Sequence, residues 1–256
     1  MIDCAVRIEE GFWEEALAAA GLGPPYGLEV PVSLLESCPR FAQRFELEDW
    51  KVVNIREALP LAHAPYLDEC PPSIRRGLVG TLASTLELGR CFGAMCASLD
   101  LGLDRVVGSA GISSRADILD KALSLSADGP TLCMQVRAPR RYPLSQEWGL
   151  ARELVSTTDS SRVGIAANVV IRDISPQPAP AELIDLLGDG LRLVRFLLDA
   201  PGPASFAEGI IASWAAELAR CDSPPAVVFS AQFRDPAALP VYHRAAAETA
   251  RDLFGA

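Results

Sequence analysis

The sequence predicts an α/β chain closed into a (β/α)8 barrel, and three observations carry that expectation. Short apolar runs rich in β-branched residues alternate with stretches of helical period, the alternation occurs eight times, and the 256 residues match the roughly 250 that such a barrel needs. Strands alternating with helices that carry one apolar stripe imply right-handed crossovers and a parallel sheet buried on both faces. An open doubly wound sheet is the alternative, but no Gly-x-Gly-x-x-Gly follows the first strand to support it.

Taken in order, the first strand is expected at 2–8, followed by helical period over 12–20. The second is expected at 27–32 and the third around 58–63, with Leu78, Leu82 and Leu86 marking the next helix by their spacing of four. The fourth is expected at 105–107, before the helical pair Ile118 and Ala122. The fifth and sixth, at 131–136 and 163–171, are largely apolar, as strands covered on both faces should be, with Gln135 and Asn168 as polar exceptions. The Pro-rich piece at 175–180 reads as a βα loop before Leu183 and Leu187. The seventh strand is expected at 191–198 and the eighth at 226–229, separated by a helix marked by Ile211, Trp214 and Leu218 and followed by helical period over 245–253. No linker divides the chain, so residues 1–256 are expected to form one domain.

Half the residues are apolar and only 7% aromatic, so the core should be aliphatic and alanine-rich. The net charge of −10 argues against nucleic acid or an anionic membrane as a partner, without excluding a locally basic site. No apolar stretch approaches the roughly 18 residues of a membrane span, and the start of the sequence lacks a signal-like segment, so a cytoplasmic protein is expected. The seven cysteines, at 4, 38, 70, 91, 96, 133 and 221, include no Cys-x-x-Cys pair and read as reduced thiols. Cys91 and Cys96 are spaced as if on one helix and have no histidine nearby to complete a zinc set.

Several motifs occur in a telling order. LAHAPYLDE at 61–69 precedes a long helix, LGLDRVV at 101–107 and then SAG at 109–111, and Gly27-Leu28-Glu29 sits on the second strand. Together they resemble the xylose-isomerase-like barrels, which include sugar isomerases, ketose epimerases and apurinic-site endonucleases. The resemblance implies a divalent ion at the C-terminal mouth, held by Glu, Asp, His and Glu from strands five to eight. At the matching positions this sequence has Gln135, Asn168, Arg195 or Phe196 according to register, and Ser230 with Gln232. The fourth-strand histidine is matched by Ser109, while His63 remains in the His-x-Pro turn. A hard cation needs anionic oxygen ligands, which amides do not supply, so no metal or other cofactor is expected. Gln135 and Asn168 could also be buried amides that satisfy one another.

The same mouth reads as basic. Arg7, Arg137, Arg140, Arg141, Arg172, Arg195 and Arg234 lie at or beyond strand ends, and strand parity puts Gln135 and Arg137 on one side. Arginine's planar fork suits carboxylate or phosphate, which points to a small anionic or polyol ligand. The competing expectation is that these arginines pair with loop acids such as Glu69, Asp173, Asp199 and Asp235.

Three functions follow as expectations. The first is a barrel that binds a small anionic sugar-type ligand without metal chemistry, through Arg7, Ser109, Gln135, Arg137, Asn168, Arg195, Ser230 and Gln232. The second is a metal-independent sugar isomerase or epimerase with His63 and Glu29 as the catalytic proton-transfer pair. The third is a structural subunit, with Ala-rich terminal helices forming a homo-oligomer. Asp3, at the start of the first strand, should serve stability at the barrel's lower end. An apurinic endonuclease, resembling a multi-metal cluster with many histidines, is disfavoured by a chain with two histidines.

Overall fold

The computed structural model describes residues 2–20, 27–48, 50–59, 67, 71–103, 108–126, 128–137, 146–171, 179–198, 205, 209–231 and 235–255. Eight parallel strands close into a barrel in sequence order, with β8 pairing back onto β1. The strands are β1 (Cys4–Arg7), β2 (Gly27–Pro31), β3 (Lys51–Arg56), β4 (Cys96–Leu99), β5 (Thr131–Arg137), β6 (Val163–Val170), β7 (Leu191–Leu198) and β8 (Ala226–Ala231). The helices are α1 (Trp13–Ala20), α2 (Val32–Ser37), α3 (Pro39–Glu48), α4 (Pro72–Cys91), α5 (Gly108–Ser124), α6 (Gln146–Thr157), α7 (Pro180–Leu187), α8 (Gly209–Leu218) and α9 (Leu239–Phe254). No helix among the described residues is long and apolar enough to cross a membrane.

Two strands lie upstream of where the sequence pattern put them. The third is at Lys51–Arg56 rather than 58–63, and the fourth at Cys96–Leu99 rather than 105–107. Residues 60–63 and 105–107 lie outside the described residues. Ala58, Leu59, Leu101 and Leu103 are buried over the strand ends without joining the ladder. Ala58 is held there by a single backbone bond, its N–H donating to the Ser98 carbonyl at 3.0 Å. The fourth strand's early end also separates the two cysteines, since Cys91 closes α4 and Cys96 opens β4. The six described cysteines are free thiols.

Alternate strand positions build the barrel's interior in two layers. Ala5, Val53, Cys96, Cys133, Ala166, Leu193, Ala226 and Val228 form a buried apolar cluster of mostly small side chains. Two residues further along β1, β4, β5, β6, β7 and β8 come Arg7, Ser98, Gln135, Asn168, Arg195 and Ser230, so the upper layer is polar. Glu29 follows Gly27 in the same way on β2. On β3 the pairing with β2 shifts register, which lets the consecutive residues Val53 and Asn54 serve the lower and upper layers in turn. Below the barrel, Asp3 pairs with Lys51 at the start of β3, a position suited to stability. Around it, Ala245, Ala246 and Ala250 of α9 are buried, so these alanines serve the barrel's own core.

Candidate functional site

The upper layer is organised around one carboxylate. Glu29 is completely buried, and Arg195 grips it with Nε at 2.9 and 3.2 Å from its two oxygens and with a further bond from Nη2. Asn54 Nδ2 donates to the same Oε1 at 2.6 Å. Arg195 Nη1 donates to Asn168 Oδ1 at 2.7 Å, and Arg195 Nη2 lies 3.1 Å from Ser98 Oγ. Asn54 Nδ2 and Gln135 Nε2 also approach that hydroxyl, at 2.9 and 3.3 Å. Burial by itself pushes the Glu29 carboxyl's pKa up, but the charges of Arg195 and Arg7 with the bonds from Arg195 and Asn54 hold it below the ordinary value. A buried ion pair survives only when its remaining polar atoms are bonded, which is what the surrounding amides and hydroxyl supply.

Above this layer a cavity of about 260 Å³ opens among Arg7, Glu29, Arg56, Glu57, Leu59, Asp100, Gln135, Asn168, Arg195 and Leu197. Its rim is made of paired charges. Glu9, just after β1, holds Arg7 Nε at 2.7 Å and Arg56 Nη2 at 2.9 Å, and Arg56 also pairs with Glu57. Arg7 Nη1 donates weakly to Ser230 Oγ at 3.3 Å. Glu57 has φ of 62°, a left-handed conformation unfavourable to any residue with a Cβ. The loop after β4 is tied down by Arg115, whose Nε donates to the Leu101 carbonyl at 3.0 Å, and Asp100 Oδ1 accepts from Gly102 N at 2.8 Å.

The structure therefore brings Arg7, Glu29, Gln135, Asn168, Arg195 and Ser230 together at one mouth. The open register on β7 falls on Arg195, paired with Asn168 of β6 and turned inward. Gln135 and Asn168 do not satisfy each other, because Arg195 and Ser98 lie within closer reach of them. Ser109 is not at a strand end: β4 stops at Leu99 and Ser109 falls in the first turn of α5. Arg137 is the last residue of β5. His63, Gln232, Arg140, Arg141, Arg172, Arg234, Glu69, Asp173 and Asp199 lie outside the described residues. Asp235 accepts a bond from Ala237 N at 2.9 Å, capping a short turn.

Sequence reasoning missed Asn54, Arg56, Glu57 and Ser98, because it placed β3 and β4 too late. The signal was present in KVVNIR, where Val52, Val53 and Ile55 are β-branched residues set among polar ones. It missed Glu9 because a carboxylate serving two arginines, one from β1 and one from β3 on the far side of β2, is visible only once the barrel brings the strand ends together.

The closed (β/α)8 fold is shared with solved sugar epimerases and an endonuclease, at low sequence identity. Similar solved structures include a D-psicose 3-epimerase with D-tagatose from Clostridium cellulolyticum H10, at TM-score 0.72 and 14% identity, covering 98% of this chain and 99% of that one. The 3-keto-D-glucoside 4-epimerase of E. coli superposes at TM-score 0.65 and 11% identity over 97% and 99% of the two chains. Endonuclease IV from Thermus thermophilus gives TM-score 0.57 and 15% identity over 98% and 99%. No protein-family model and no curated protein matches this chain.

Proposed function

We propose that this barrel binds a small sugar-type ligand at its C-terminal mouth and does so without a divalent metal ion. The observation that carries the reading is Arg195, whose guanidinium lies in the polar layer against Glu29 and Asn168. Strands β5 to β8 offer two neutral amides, a guanidinium and a hydroxyl in that layer, and the Glu29 carboxylate is already engaged by Arg195. Such a donor set does not fit a hard cation, which needs several anionic oxygens and is repelled by a fixed positive charge. Among the described residues, no three His, Cys, Asp or Glu side chains converge.

The rim supports a polyhydroxylated body for the ligand. Arg7, Arg56, Glu9 and Glu57 alternate donors with acceptors, and each hydroxyl group both gives and takes a hydrogen bond. The cavity, at about 260 Å³, suits a ligand smaller than the drug-sized molecules of typical pockets, which occupy roughly 300–1,000 Å³. In this reading Glu29 acts as the counter-ion of Arg195 rather than as a base, since the charge and hydrogen bonds of Arg195 hold its pKa below the ordinary carboxylate value and so weaken it as a proton acceptor. Elemental analysis of the purified protein and calorimetric titration with sugars test the proposal. Expected are no stoichiometric metal, and saturable sugar binding weakened roughly ten-fold or more by Arg7→Ala. One equivalent of manganese or zinc, lost in Asn168→Ala, would overturn it.

A further inference from the structure

The hydroxyl of Ser98 has more donors than it can accept. Asn54 Nδ2, Arg195 Nη2 and Gln135 Nε2 lie 2.9, 3.1 and 3.3 Å from Ser98 Oγ, whereas a hydroxyl has two lone pairs and one hydrogen of its own. Arg195 can only donate. Asn54 is fixed too, because the same Nδ2 donates to Glu29 at 2.6 Å and turning the amide over would set its carbonyl against a carboxylate. These two fill the lone pairs, so the Ser98 hydrogen must find an acceptor. Gln135 is the remaining side-chain partner among the described residues, and its amide oxygen and nitrogen are interchangeable in shape. Its carbonyl therefore turns to Ser98 and its NH2 turns to the cavity it lines.

The same accounting applies to its neighbours. Asn168 gives its Oδ1 to Arg195, which leaves its NH2 for the cavity. Arg195 commits Nε, both Nη2 hydrogens and one Nη1 hydrogen, leaving one Nη1 hydrogen on a residue that also lines the cavity. Three adjacent strands thus present donors and no acceptor. A hydroxyl placed there would have to turn its own hydrogen away from these three strands, whereas a carboxylate is an acceptor at both oxygens and can take donors from all of them.

We infer that the floor formed by Gln135, Asn168 and Arg195 is a carboxylate-binding subsite, so that the ligand is a sugar acid whose polyol chain meets the charged rim. The inference rests on the proposed sugar-type ligand and adds its acidic end. Calorimetric titration with D-gluconate and with sorbitol separates the two, since these share a six-carbon polyol chain and differ at one terminal carbon. Gluconate should bind at least roughly ten-fold more tightly than sorbitol. Gln135→Met, which is neutral and of similar shape, should weaken gluconate by about ten-fold and sorbitol by less, with a cooperative urea unfolding transition reporting intact folding. Gluconate binding that is unchanged or tighter in Gln135→Met means that Gln135 shows an acceptor to the cavity, and overturns the inference. Sorbitol binding as tightly as gluconate overturns the inference alone and leaves the polyol reading standing, whereas binding of neither overturns both.

Discussion

The two layers of the barrel's interior are built from the same alternate strand positions and solve opposite problems. The lower layer is filled by alanine, valine, cysteine and leucine, so its stability comes from excluding water and filling volume. The upper layer sets a buried ion pair among five neutral polar side chains, and is stable only because most polar atoms there have a partner. Among the described residues Asn54 Oδ1 is one exception, buried without a hydrogen-bond partner. The lower layer should therefore tolerate loss of polarity and resist changes of volume, while the upper one should be indifferent to small volume changes and sensitive to loss of a single charge.

The largest expected effect is in the upper layer. Arg195→Ala strands the Glu29 carboxylate in a fully buried position and should cost about 3–5 kcal/mol by urea unfolding, whereas the double change Arg195→Met with Glu29→Met should cost much less. If the double variant is as unstable as the single one, packing and not charge holds this layer.

His243 on α9 sharpens the contrast, because it is a buried polar group without partners. Both its ring nitrogens are buried and unbonded, and burial pushes its pKa down from 6.5 to about 4. The folded chain keeps this imidazole neutral where the unfolded chain would protonate it. Stability therefore falls as pH drops from about 6.5 to about 4, by about 3 kcal/mol from this group, and levels off below. Unfolding of the native chain and of His243→Leu at pH 7.5 and 4.5 should show a smaller acid loss in the variant.

In the lower layer, Gly27→Ala should cost about 1–3 kcal/mol without altering ligand binding. An added Cβ would meet Val53 Cγ2 at 2.3 Å and the Cys4 carbonyl at 3.2 Å. The smallest effect is at the rim, where Glu57→Gly removes a left-handed strain and should raise stability by about 1 kcal/mol while weakening sugar binding. A stability gain with unchanged affinity would mean that Glu57 does not touch the ligand.

The strands from β5 to β8 were legible because they are long, apolar and covered on both faces, which leaves a signal that no loop imitates. The region of β3 and β4 was not, since β3 mixes Lys51, Asn54 and Arg56 with its apolar residues and β4 is only four residues long, so neither stands out as an apolar run. The family resemblance pointed to Gln135 and Asn168 as mouth residues and left the seventh strand with Arg195 or Phe196; the ladder settles that register on Arg195.

By itself, then, the sequence determined the alternation and the count of units, because these are properties of local pattern. What only tertiary structure decided is where the charges go. Arg195 meets Glu29, 166 residues earlier, because barrel closure sets β2 and β7 facing across one interior. Glu9 joins Arg7 to Arg56 for the same reason, since β1 and β3 converge on the same mouth. Of the arginines that read as a basic rim, Arg195 became a buried counter-ion and Arg7 half of a compensated pair with Glu9, because a charge removed from water is held by whichever opposite charge the fold brings within reach.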